Sequence, residues 1–260
     1  MATKKDLIKT EQQIAIMAEG GRRLAEVLAE LRDAVRPGVT TLELDRMARL
    51  RITGFGDAPS FLHYRPEGAA RAYPYTLCAS VNDVVVHGQP SDYALREGDI
   101  VKLDLGLRHE GLHLDSAITV PVGGMDAVPK DVQKLLAATE ESLRAGVKAA
   151  APGNRLGDIG YAIARVARKN GFSIAEGLTG HGIGAELHEA PTVFNFGDKG
   201  TGLELVEGMV IAIEPMIAIG SGEIVQLRDE SWGTRDHSWA AHFEHTVAIT
   251  AKGPRVLTMR

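Results

Sequence analysis

The sequence predicts an α+β fold made of two similar halves, each with two helices followed by a hairpin of strands. The helices are predicted from apolar residues at helical spacing, and the strands from apolar residues that alternate with polar ones. The halves are predicted from turn residues, because Pro37-Gly38 precedes Gly56 by the same interval as Pro152-Gly153 precedes Gly171. A repeated order of this kind indicates a duplicated unit.

Two amphipathic helices begin the first half. Apolar residues from Met17 to Val35 recur at helical spacing until Pro37-Gly38 ends the run. Thr40 followed by Glu43 has the form of a capping box, and it starts a second helix that runs to the glycines at 54 and 56. The following segment is rich in Pro, Gly, Ala and aromatic residues and is predicted to be a loop, residues 57–76.

The strands of the first half carry two acids. Residues 101–108 have the alternation of a half-buried strand, on which Asp104 lies on the less apolar face. After a turn near Glu110-Gly111, a second strand at 113–120 carries Asp115, so the two acids are predicted to converge. Two shorter strands are also predicted, at 76–80 and 84–87.

The second half repeats this order and again carries two acids. Helical stripes run from 132 to 147 and from 159 to 166. Glu214 follows a Glu-Gly pair at the same interval as Asp104 does, and the run that begins at Glu244 resembles the run that begins at Asp115. If a pseudo-twofold axis relates the halves, the four carboxylates meet at one interface.

Four buried carboxylates would repel one another and stay protonated unless cations lay between them. Carboxylate oxygens with one imidazole suit Mn, Fe, Co or Zn, and two such ions can activate water and polarise a carbonyl, which is the chemistry of hydrolysis. The imidazole candidates are His181, which lies in a glycine-rich run, and His188. One would bind metal while the other contacts substrate.

Competing interpretations of these motifs are weaker. Residues 180–184 match neither a dinucleotide fingerprint nor a Walker loop, and the chain has no His-Glu-x-x-His or Gly-x-Ser-x-Gly motif. Cys78 lies in a strand-like run without a base and is interpreted as a pocket residue. The remaining histidines are interpreted as structural, namely His63, His109, His113, His237, His242 and His245.

The bulk composition is that of an ordinary globular protein. The 260 residues are 44% hydrophobic and 24% charged with a net charge of -5, which does not favour nucleic-acid binding or a disordered tail. The single cysteine excludes an intrachain disulfide and a multi-cysteine zinc site, and it suggests a reducing, cytoplasmic compartment. No targeting segment is expected, and no apolar run approaches the ~20 residues that span a bilayer.

Six motifs complete the pattern: Cys78-Ala-Ser-Val-Asn-Asp with Val-Val-His87-Gly, Glu-Gly-Asp-Ile-Val-Lys-Leu-Asp104, Gly-His181-Gly-Ile-Gly, His188-Glu-Ala-Pro, Ile-Glu214-Pro and Glu244-His-Thr. From about Glu11 to Thr250 the chain resembles the type I methionine aminopeptidases of peptidase family M24, which share the pita-bread fold with Xaa-Pro peptidases and creatinase. The length of the chain favours type I. Xaa-Pro peptidases and creatinases usually carry an extra N-terminal domain, and type II methionine aminopeptidases carry a helical insertion.

The resemblance implies a pita-bread (creatinase/aminopeptidase) fold. Its two pseudo-twofold halves, about 11–125 and 126–250, would surround one active site in a single catalytic domain of residues 11–260, after an extension of residues 1–10. It implies two divalent ions, Co, Mn, Fe or Zn, held by Asp104, Asp115, His181, Glu214 and Glu244.

The resemblance also implies roles beyond metal binding. His87 would contact the scissile amide nitrogen, His188 would stabilise the carbonyl oxygen as it becomes tetrahedral, and Glu214 would shuttle a proton. With the two histidines, the implied substrate pocket consists of Phe61, Tyr64, Tyr73, Cys78, Leu187 and Trp232. Departures from the usual family pattern occur in the insertion Arg65 to Ala72, at Leu114 in place of Gly and at Leu187 in place of Phe.

We therefore predict an enzyme that removes the initiator methionine from nascent proteins by hydrolysing the first peptide bond. One alternative is a pita-bread aminopeptidase with a different first-residue preference. Another is a non-catalytic pita-bread binding module, against which the complete set of five ligands and two histidines argues. The expected partners are N-terminal methionyl peptides or nascent chains, with transient ribosome contact, no nucleic acid and no membrane; the expected state is a monomer.

Overall fold

A computed structural model describes residues 7–65 and 71–260. All four predicted helices are present in this part of the chain. They are α1 (Glu11–Ala34), α2 (Thr41–Gly54), α3 (Lys130–Ala149) and α4 (Leu156–Lys169), and one short 3-10 turn spans Met125–Ala127. None of these helices combines the length and apolar character that crossing a bilayer requires.

The described residues also form fifteen strands. Those of the first half are β1 (Ala58–Pro59), β2 (Leu77–Val81), β3 (Val84–Val86), β4 (Ile100–His109) and β5 (Leu112–Pro121). Those of the second half are β6 (Ser173–Ile174), β7 (Thr179–Gly182), β8 (Glu189–Phe194), β9 (Val210–Ile213), β10 (Met216–Ala218), β11 (Ile224–Gln226), β12 (Trp232–Thr234), β13 (Ala240–His242), β14 (His245–Thr250) and β15 (Gly253–Val256). The segment predicted to be all loop therefore contains a strand, β1, because it pairs with the far end of β4.

Side-chain caps define where the first two helices begin. The predicted capping box of α2 is present: Glu43 N donates to Thr40 Oγ1 at 3.1 Å, and Thr40 N donates to Glu43 Oε2 at 2.8 Å. A second box, not predicted, starts α1, where Thr10 and Gln13 exchange the same pair of hydrogen bonds. Each box satisfies backbone donors that would otherwise lack an intrahelical partner.

Within residues 7–65 and 71–260, the strands form two larger sheets and two small ones, all with antiparallel pairing. In the first half, β4 pairs with β5 along one edge and with β1 and β2 along the other. In the second half, five strands lie in the order β15-β14-β9-β7-β8. The small sheets have the orders β13-β10-β6 and β11-β12-β3.

The hairpin of β4 and β5 turns at Glu110 and Gly111 as predicted. Both residues have positive φ, 46° and 86°, which suits the right-handed twist of a tight hairpin. The prediction of a half-buried strand is wrong, because all of β4 except Arg108 is buried. Its apolar face packs against the helices of the first half. On its other face, Lys102 Nζ donates to Asn82 O at 2.7 Å, and Asp104 lines the cavity that lies between the two halves.

The second strand pair is not a tight hairpin. Strands β9 and β14 pair directly, with Ile213 opposite His245, as the duplication predicts. The segment that connects them, however, is long enough to form β10, β11, β12 and β13, which make up most of the two small sheets. The halves therefore share strand pairing and differ in the connection.

Hydrogen bonds between β5 and β14 join the two halves. Asp115 N donates to Thr246 Oγ1 at 3.0 Å, and the same hydroxyl donates to Asp115 O at 2.8 Å. Glu244 N donates to Ala117 O at 2.9 Å, and Ser116 Oγ donates to Glu244 O at 2.8 Å. This joint brings an acid of each half to the same place.

Separate apolar cores support the two larger sheets. In the first half, α1 and α2 pack on β2, β4 and β5, and a Cβ on Gly20 of α1 would lie 2.8 Å from both His109 and Leu114. In the second half, the apolar faces of α3 and α4 pack against β9 and β14. Leu114 is fully buried in the first core, so this departure from the family pattern faces away from the site described below.

Part of the predicted extension and part of the predicted insertion, residues 1–6 and 66–70, lie outside the described residues. The rest of the extension packs on the second half. Leu7 contacts the second core, and Ile8 forms an antiparallel bridge with Met209.

The joint between the halves yields a prediction for stability. We expect Thr246→Val to lower the free energy of unfolding by about 1–3 kcal/mol, because it leaves a buried N–H and C=O of Asp115 without partners. Urea denaturation of the metal-free protein measures the change. The matched control is Thr179→Val, whose hydroxyl makes no hydrogen bond with the described residues; equal losses in the two variants would contradict the prediction.

Candidate active site and metal centre

A cavity of about 1000 Å³ opens between the two halves and contains side chains from both. The residues predicted from the sequence all line it: Phe61, Tyr64, Tyr73, Cys78, His87, Asp104, Asp115, His181, Leu187, His188, Glu214, Trp232 and Glu244. Residues as far apart in the chain as Phe61 and Glu244 therefore share one chamber.

The strand register places the two acids of the first half on one face. Gly106 lies opposite Asp115 and Ala117 lies opposite Asp104, so the acids are diagonal neighbours on the same side of the hairpin. Gly106 has a packing reason to lack a side chain, because a Cβ there would lie 2.7 Å from the ring of Phe61. The glycine thus lets Phe61 lie against the strand beside the acids.

The acids of the second half flank paired strand ends. Glu214 immediately follows β9, and Glu244 immediately precedes β14, whose first residue pairs with the last residue of β9. The amide of Asn195 donates to Glu214 O at 3.0 Å. Consequently the ends of one strand pair present both carboxylates to the cavity.

His181 reaches the acids from β7, next to β9. A Cβ on Gly180 would overlap Ala212 O, and one on Gly182 would overlap Ala190 O, so both flanking glycines are needed for the close approach of the backbones. His181 Nδ1 lies 2.9 Å from Gly182 O, which orients the ring and directs Nε2 towards Glu214 Oε1 at 3.5 Å.

The ligand atoms converge closely. One atom each from Asp115, His181 and Glu244 lie within 4.8 Å of one another. Three buried carboxylate oxygens lack a hydrogen-bond partner among the described residues, namely Asp104 Oδ1, Asp115 Oδ1 and Glu244 Oε1. Buried acceptors without donors are costly, so this arrangement calls for a positive partner.

Burial makes ionisation of these acids unfavourable. It raises the pKa of Asp104 and of Glu214 to about 7, with His242 and His181 respectively opposing the rise. Burial, followed by repulsion from the neighbouring carboxylates, raises the pKa of Asp115 and of Glu244 well above the usual range. A hard, oxygen-rich set with one imidazole fits divalent cations, which would relieve both the repulsion and the unpaired oxygens.

Two further histidines, His87 and His188, line the cavity, and their lowered pKa values keep them neutral. Burial and then His242 lower the pKa of His87 to about 4; this residue follows β3 and has a φ of 60°. Burial and then neighbouring imidazoles lower the pKa of His188 to about 3. The His188 ring meets that of His181 edge-on with centroids 4.4 Å apart, and its Nδ1 lies 2.7 Å from Tyr64 Oη.

The pocket beside the acids is mostly apolar and aromatic. Tyr73 Oη donates to Leu77 O and Gly88 O, both at 3.0 Å, which locks its ring against the wall. Burial, followed by repulsion from Asp104, raises the pKa of the Cys78 thiol well above its usual value, so Cys78 stays protonated and is a poor nucleophile. Leu187 is only 1% exposed and closes the chamber on the opposite half.

The sequence reasoning missed a group at the site. His242, interpreted as structural, has Nε2 at 3.6 Å from Glu214 Oε2 and 3.9 Å from Glu244 Oε2, and neither ring nitrogen has a hydrogen-bond partner among the described residues. Its position two residues before Glu244 was the available signal, because residues two apart in a chain predicted to be extended would share a face.

The mouth of the cavity was also missed. Its rim includes residues for which the sequence offered no motif: Arg71, Gln89, Gln226, Arg228, Asp229 and Glu230. Three of the six come from the segment between β11 and β12, and Gln89 Nε2 donates to Asp229 O at 2.7 Å, which ties this segment to the first half. Such residues meet only through the tertiary fold.

Comparison with known proteins places these features in a family. The chain matches the model of metallopeptidase family M24 over residues 15–251. It is 43% identical to a methionine aminopeptidase of Clostridium perfringens over 255 residues, 97% of this chain and 98% of the relative. It is 41% identical to methionine aminopeptidase 1 of Bacillus subtilis, over 97% of this chain and 98% of the relative.

Solved structures agree on the fold. The crystal structure of methionine aminopeptidase from Rickettsia prowazekii is similar with a TM-score of 0.92 at 37% identity, covering 97% of this chain and 99% of that one. A prolidase from Pyrococcus furiosus is similar with a TM-score of 0.76 at 21% identity, over 98% of this chain and 66% of that one, a likeness that shows the fold alone. The predicted pita-bread fold is confirmed. The chain therefore belongs to metallopeptidase family M24 and, within it, to the methionine aminopeptidases.

Proposed function

We propose that this chain removes the initiator methionine from nascent proteins by hydrolysing the first peptide bond at a divalent metal centre in the cavity between its halves. The observation that carries the proposal is that four acids and His181 line one chamber, which also holds an apolar pocket, and that ligand atoms of Asp115, His181 and Glu244 lie within 4.8 Å of one another. Family membership supports the metallopeptidase chemistry, and the names of relatives that are about 40% identical support the substrate.

Five residues would hold two divalent ions, Co, Mn, Fe or Zn: Asp104, Asp115, His181, Glu214 and Glu244. Such ions, when bound, supply a Lewis acid for the scissile carbonyl and a water molecule that is acidic near neutral pH. The raised pKa values of the four acids support this assignment, since a cation lowers the cost of ionising them.

His188 is proposed to stabilise the carbonyl oxygen of the substrate as negative charge develops there. Burial raises the pKa of Tyr64, which keeps its hydroxyl protonated and able to donate to His188 Nδ1. In the neutral ring, Nε2 then carries the proton and can donate it in a hydrogen bond to the oxygen. A donor aimed at the developing charge is worth much more in the transition state than in the ground state.

Glu214 and His87 are proposed to handle protons on either side of the reacting bond. Glu214 Oε1 lies 3.5 Å from His181 Nε2 and Glu214 Oε2 lies 3.6 Å from His242 Nε2, and either carboxylate oxygen can accept a proton and release it within one cycle. His87 is neutral, and its ring lies on the cavity wall where it can contact the scissile amide nitrogen. The two groups come from different halves, so packing of the halves against each other brings them to one cavity.

The methionine side chain is proposed to occupy the apolar chamber lined by Phe61, Tyr64, Tyr73, Cys78, Leu187 and Trp232. The protonated Cys78 and the hydrogen-bonded Tyr73 make this wall neutral, which suits a thioether chain. The proposal includes a single catalytic domain, residues 11–260.

We also infer the setting in which the enzyme works. The one thiol, Cys78, is buried and reduced, which fits the cytoplasm. The family resemblance supports a monomer that acts on nascent chains during transient contact with the ribosome.

Proton release tests the metal centre. At pH 6 the acids with raised pKa values hold protons in the metal-free protein, and Mn²⁺ displaces them on binding, so we expect release of roughly one proton or more per chain. At pH 8.5 some acids are already ionised, and less release is expected. Isothermal titration calorimetry in two buffers of different ionisation enthalpy gives the number of protons released per Mn²⁺ binding event. Equal release at both pH values would contradict the assignment of these acids as metal ligands.

His188→Ala tests the oxyanion role. Loss of a donor that acts in the transition state is expected to lower kcat by about 10²-fold or more while KM changes by less than about threefold. Steady-state kinetics on a Met-Ala-Ser peptide measures both constants. The control is His237→Ala, since the side chain of His237 is 80% exposed and lies on the surface; a change in KM alone at His188 would count against the role.

Substrate preference tests the activity as a whole. We expect kcat/KM for Met-Ala-Ser to exceed that for Leu-Ala-Ser and Ala-Ala-Ser by about 10-fold or more, because each methylene in a fitted apolar pocket is worth roughly 1–3 kcal/mol. Metal-free protein and Asp104→Asn serve as inactive controls. Equal rates would support the alternative of a different first-residue preference, and absence of turnover by metal-loaded protein would support a binding module.

A further inference from the structure

A buried ion pair joins the N-terminal segment to the loop that carries His188. Lys9 Nζ contacts the carboxylate of Glu189, and the two side chains are only 7% and 15% exposed. The partners lie 180 positions apart in the chain. A buried charge pair is retained only where both charges are well placed, so its location beside a catalytic histidine is informative.

Backbone contacts of the N-terminal segment fix the position of Lys9. Lys9 N donates to Gly208 O at 2.7 Å, and the preceding residue forms an antiparallel bridge with Met209. Because these contacts lie at the start of β9, the strand that leads to Glu214, Lys9 is fixed relative to the metal centre.

The aliphatic part of the lysine crosses the backbone at Gly184. A Cβ on this glycine would overlap Lys9 Cε and would lie 2.8 Å from Lys9 Nζ. Any other residue at 184 would therefore block the approach of Lys9 to Glu189. The lysine packs directly on the loop between β7 and β8, residues 183–188.

The carboxylate of Glu189 divides its two oxygens between the lysine and this loop. Oε2 meets Lys9 Nζ, and Oε1 accepts a hydrogen bond from Glu186 N at 3.0 Å. The other end of the loop is held by Gly184, whose N–H donates to Glu186 O at 3.1 Å and whose carbonyl accepts from His113 N at 2.8 Å. Leu187 and His188 lie between these fixed points.

We propose that Lys9 is a positioning residue for His188, and that its ion pair with Glu189 holds the loop 183–188 in the shape that aims His188 into the cavity. This inference rests on the proposed role of His188. Without Lys9, the Glu189 carboxylate would be buried and unpaired, and it would turn towards solvent. Glu186 N would then lose its acceptor, and the loop would lose the contact that orders it.

The consequence for catalysis is specific. The metal ligands lie on β4, β5 and β7 and beside β9 and β14, and the backbone pairing of these strands does not use the Lys9 side chain, so metal binding should survive loss of the Lys9–Glu189 ion pair, the clamp. The His188 ring, in contrast, loses its fixed orientation when the clamp is lost. Stabilisation of the transition state by His188 is then lost as well. Small misplacements of such groups cost much of the rate.

Lys9→Met tests the clamp with two readouts. The first is the NMR signal of the His188 imidazole in the metal-free protein, assigned with His188→Ala; we expect it to shift or broaden. The second is turnover of Met-Ala-Ser with Mn²⁺, in which we expect kcat to fall about 10-fold or more with KM within about threefold. The matched control is Lys252→Met, at an exposed lysine on the turn after β14, which should change neither readout.

A double variant separates positioning from simple loss of stability. Lys9→Met with Glu189→Gln removes the unpaired buried charge, so the melting temperature should recover, while the His188 signal and kcat should stay impaired. Recovery of all three would overturn the proposal, because the damage would then come from the unpaired charge alone. An unchanged His188 signal and kcat in Lys9→Met would overturn it as well. If Lys9→Met does not fold, Glu189→Gln gives the same two readouts.

Failure of this inference is distinguishable from failure of the proposed function. If His188→Ala keeps full activity, the catalytic role of His188 is wrong, and the NMR signal still reports whether Lys9 orients the ring. If His188→Ala is impaired and Lys9→Met leaves the His188 signal unchanged, the role stands and the clamp is wrong.

Discussion

Repulsion among four clustered carboxylates is the constraint on which the rest of this structure depends. Asp104, Asp115 and Glu244 are buried, the side chain of Glu214 is 12% exposed, and three carboxylate oxygens have no partner among the described residues. Such a cluster is tolerable only if protons or cations occupy it. The joint between β5 and β14 keeps it together, since the backbone of Asp115 and Glu244 is bound across the two halves.

Desolvation raises the pKa of the acids and lowers that of His87 and His188, whose side chains line the same cavity. His87 and His188 are therefore neutral at the pH where the acids become able to ionise. Neutral imidazoles can donate and accept hydrogen bonds, whereas cationic ones would compete with metal ions for the carboxylates. Desolvation in one cavity therefore sets the pKa values of both the proposed metal ligands and the histidines that would contact the peptide.

Close backbone approach is the other requirement of the site. Glycines at 106, 180, 182 and 184 each lie where a Cβ would meet a neighbouring chain or side chain. They allow Phe61 to lie on β4, His181 to lie beside β9, and Lys9 to reach Glu189. The glycines around His181 therefore allow close packing of neighbouring backbones. Their spacing is not that of a phosphate-binding loop.

Much of this protein follows from local sequence. Apolar spacing and the Thr40 cap specify the helices, the turn residues Glu110-Gly111 specify the hairpin, and the duplicated acids identify the residues that the fold collects in one cavity. The local sequence pattern did not predict burial correctly where burial depends on residues far away in the chain. The polar face of β4 is buried by residues outside the strand, and His242, the rim beside β12 and the Lys9–Glu189 pair come together only when segments far apart in the chain pack. Spacing along the chain determines which face a side chain takes; only tertiary packing decides what covers that face, because burial and charge pairing depend on neighbours that the local sequence does not contain.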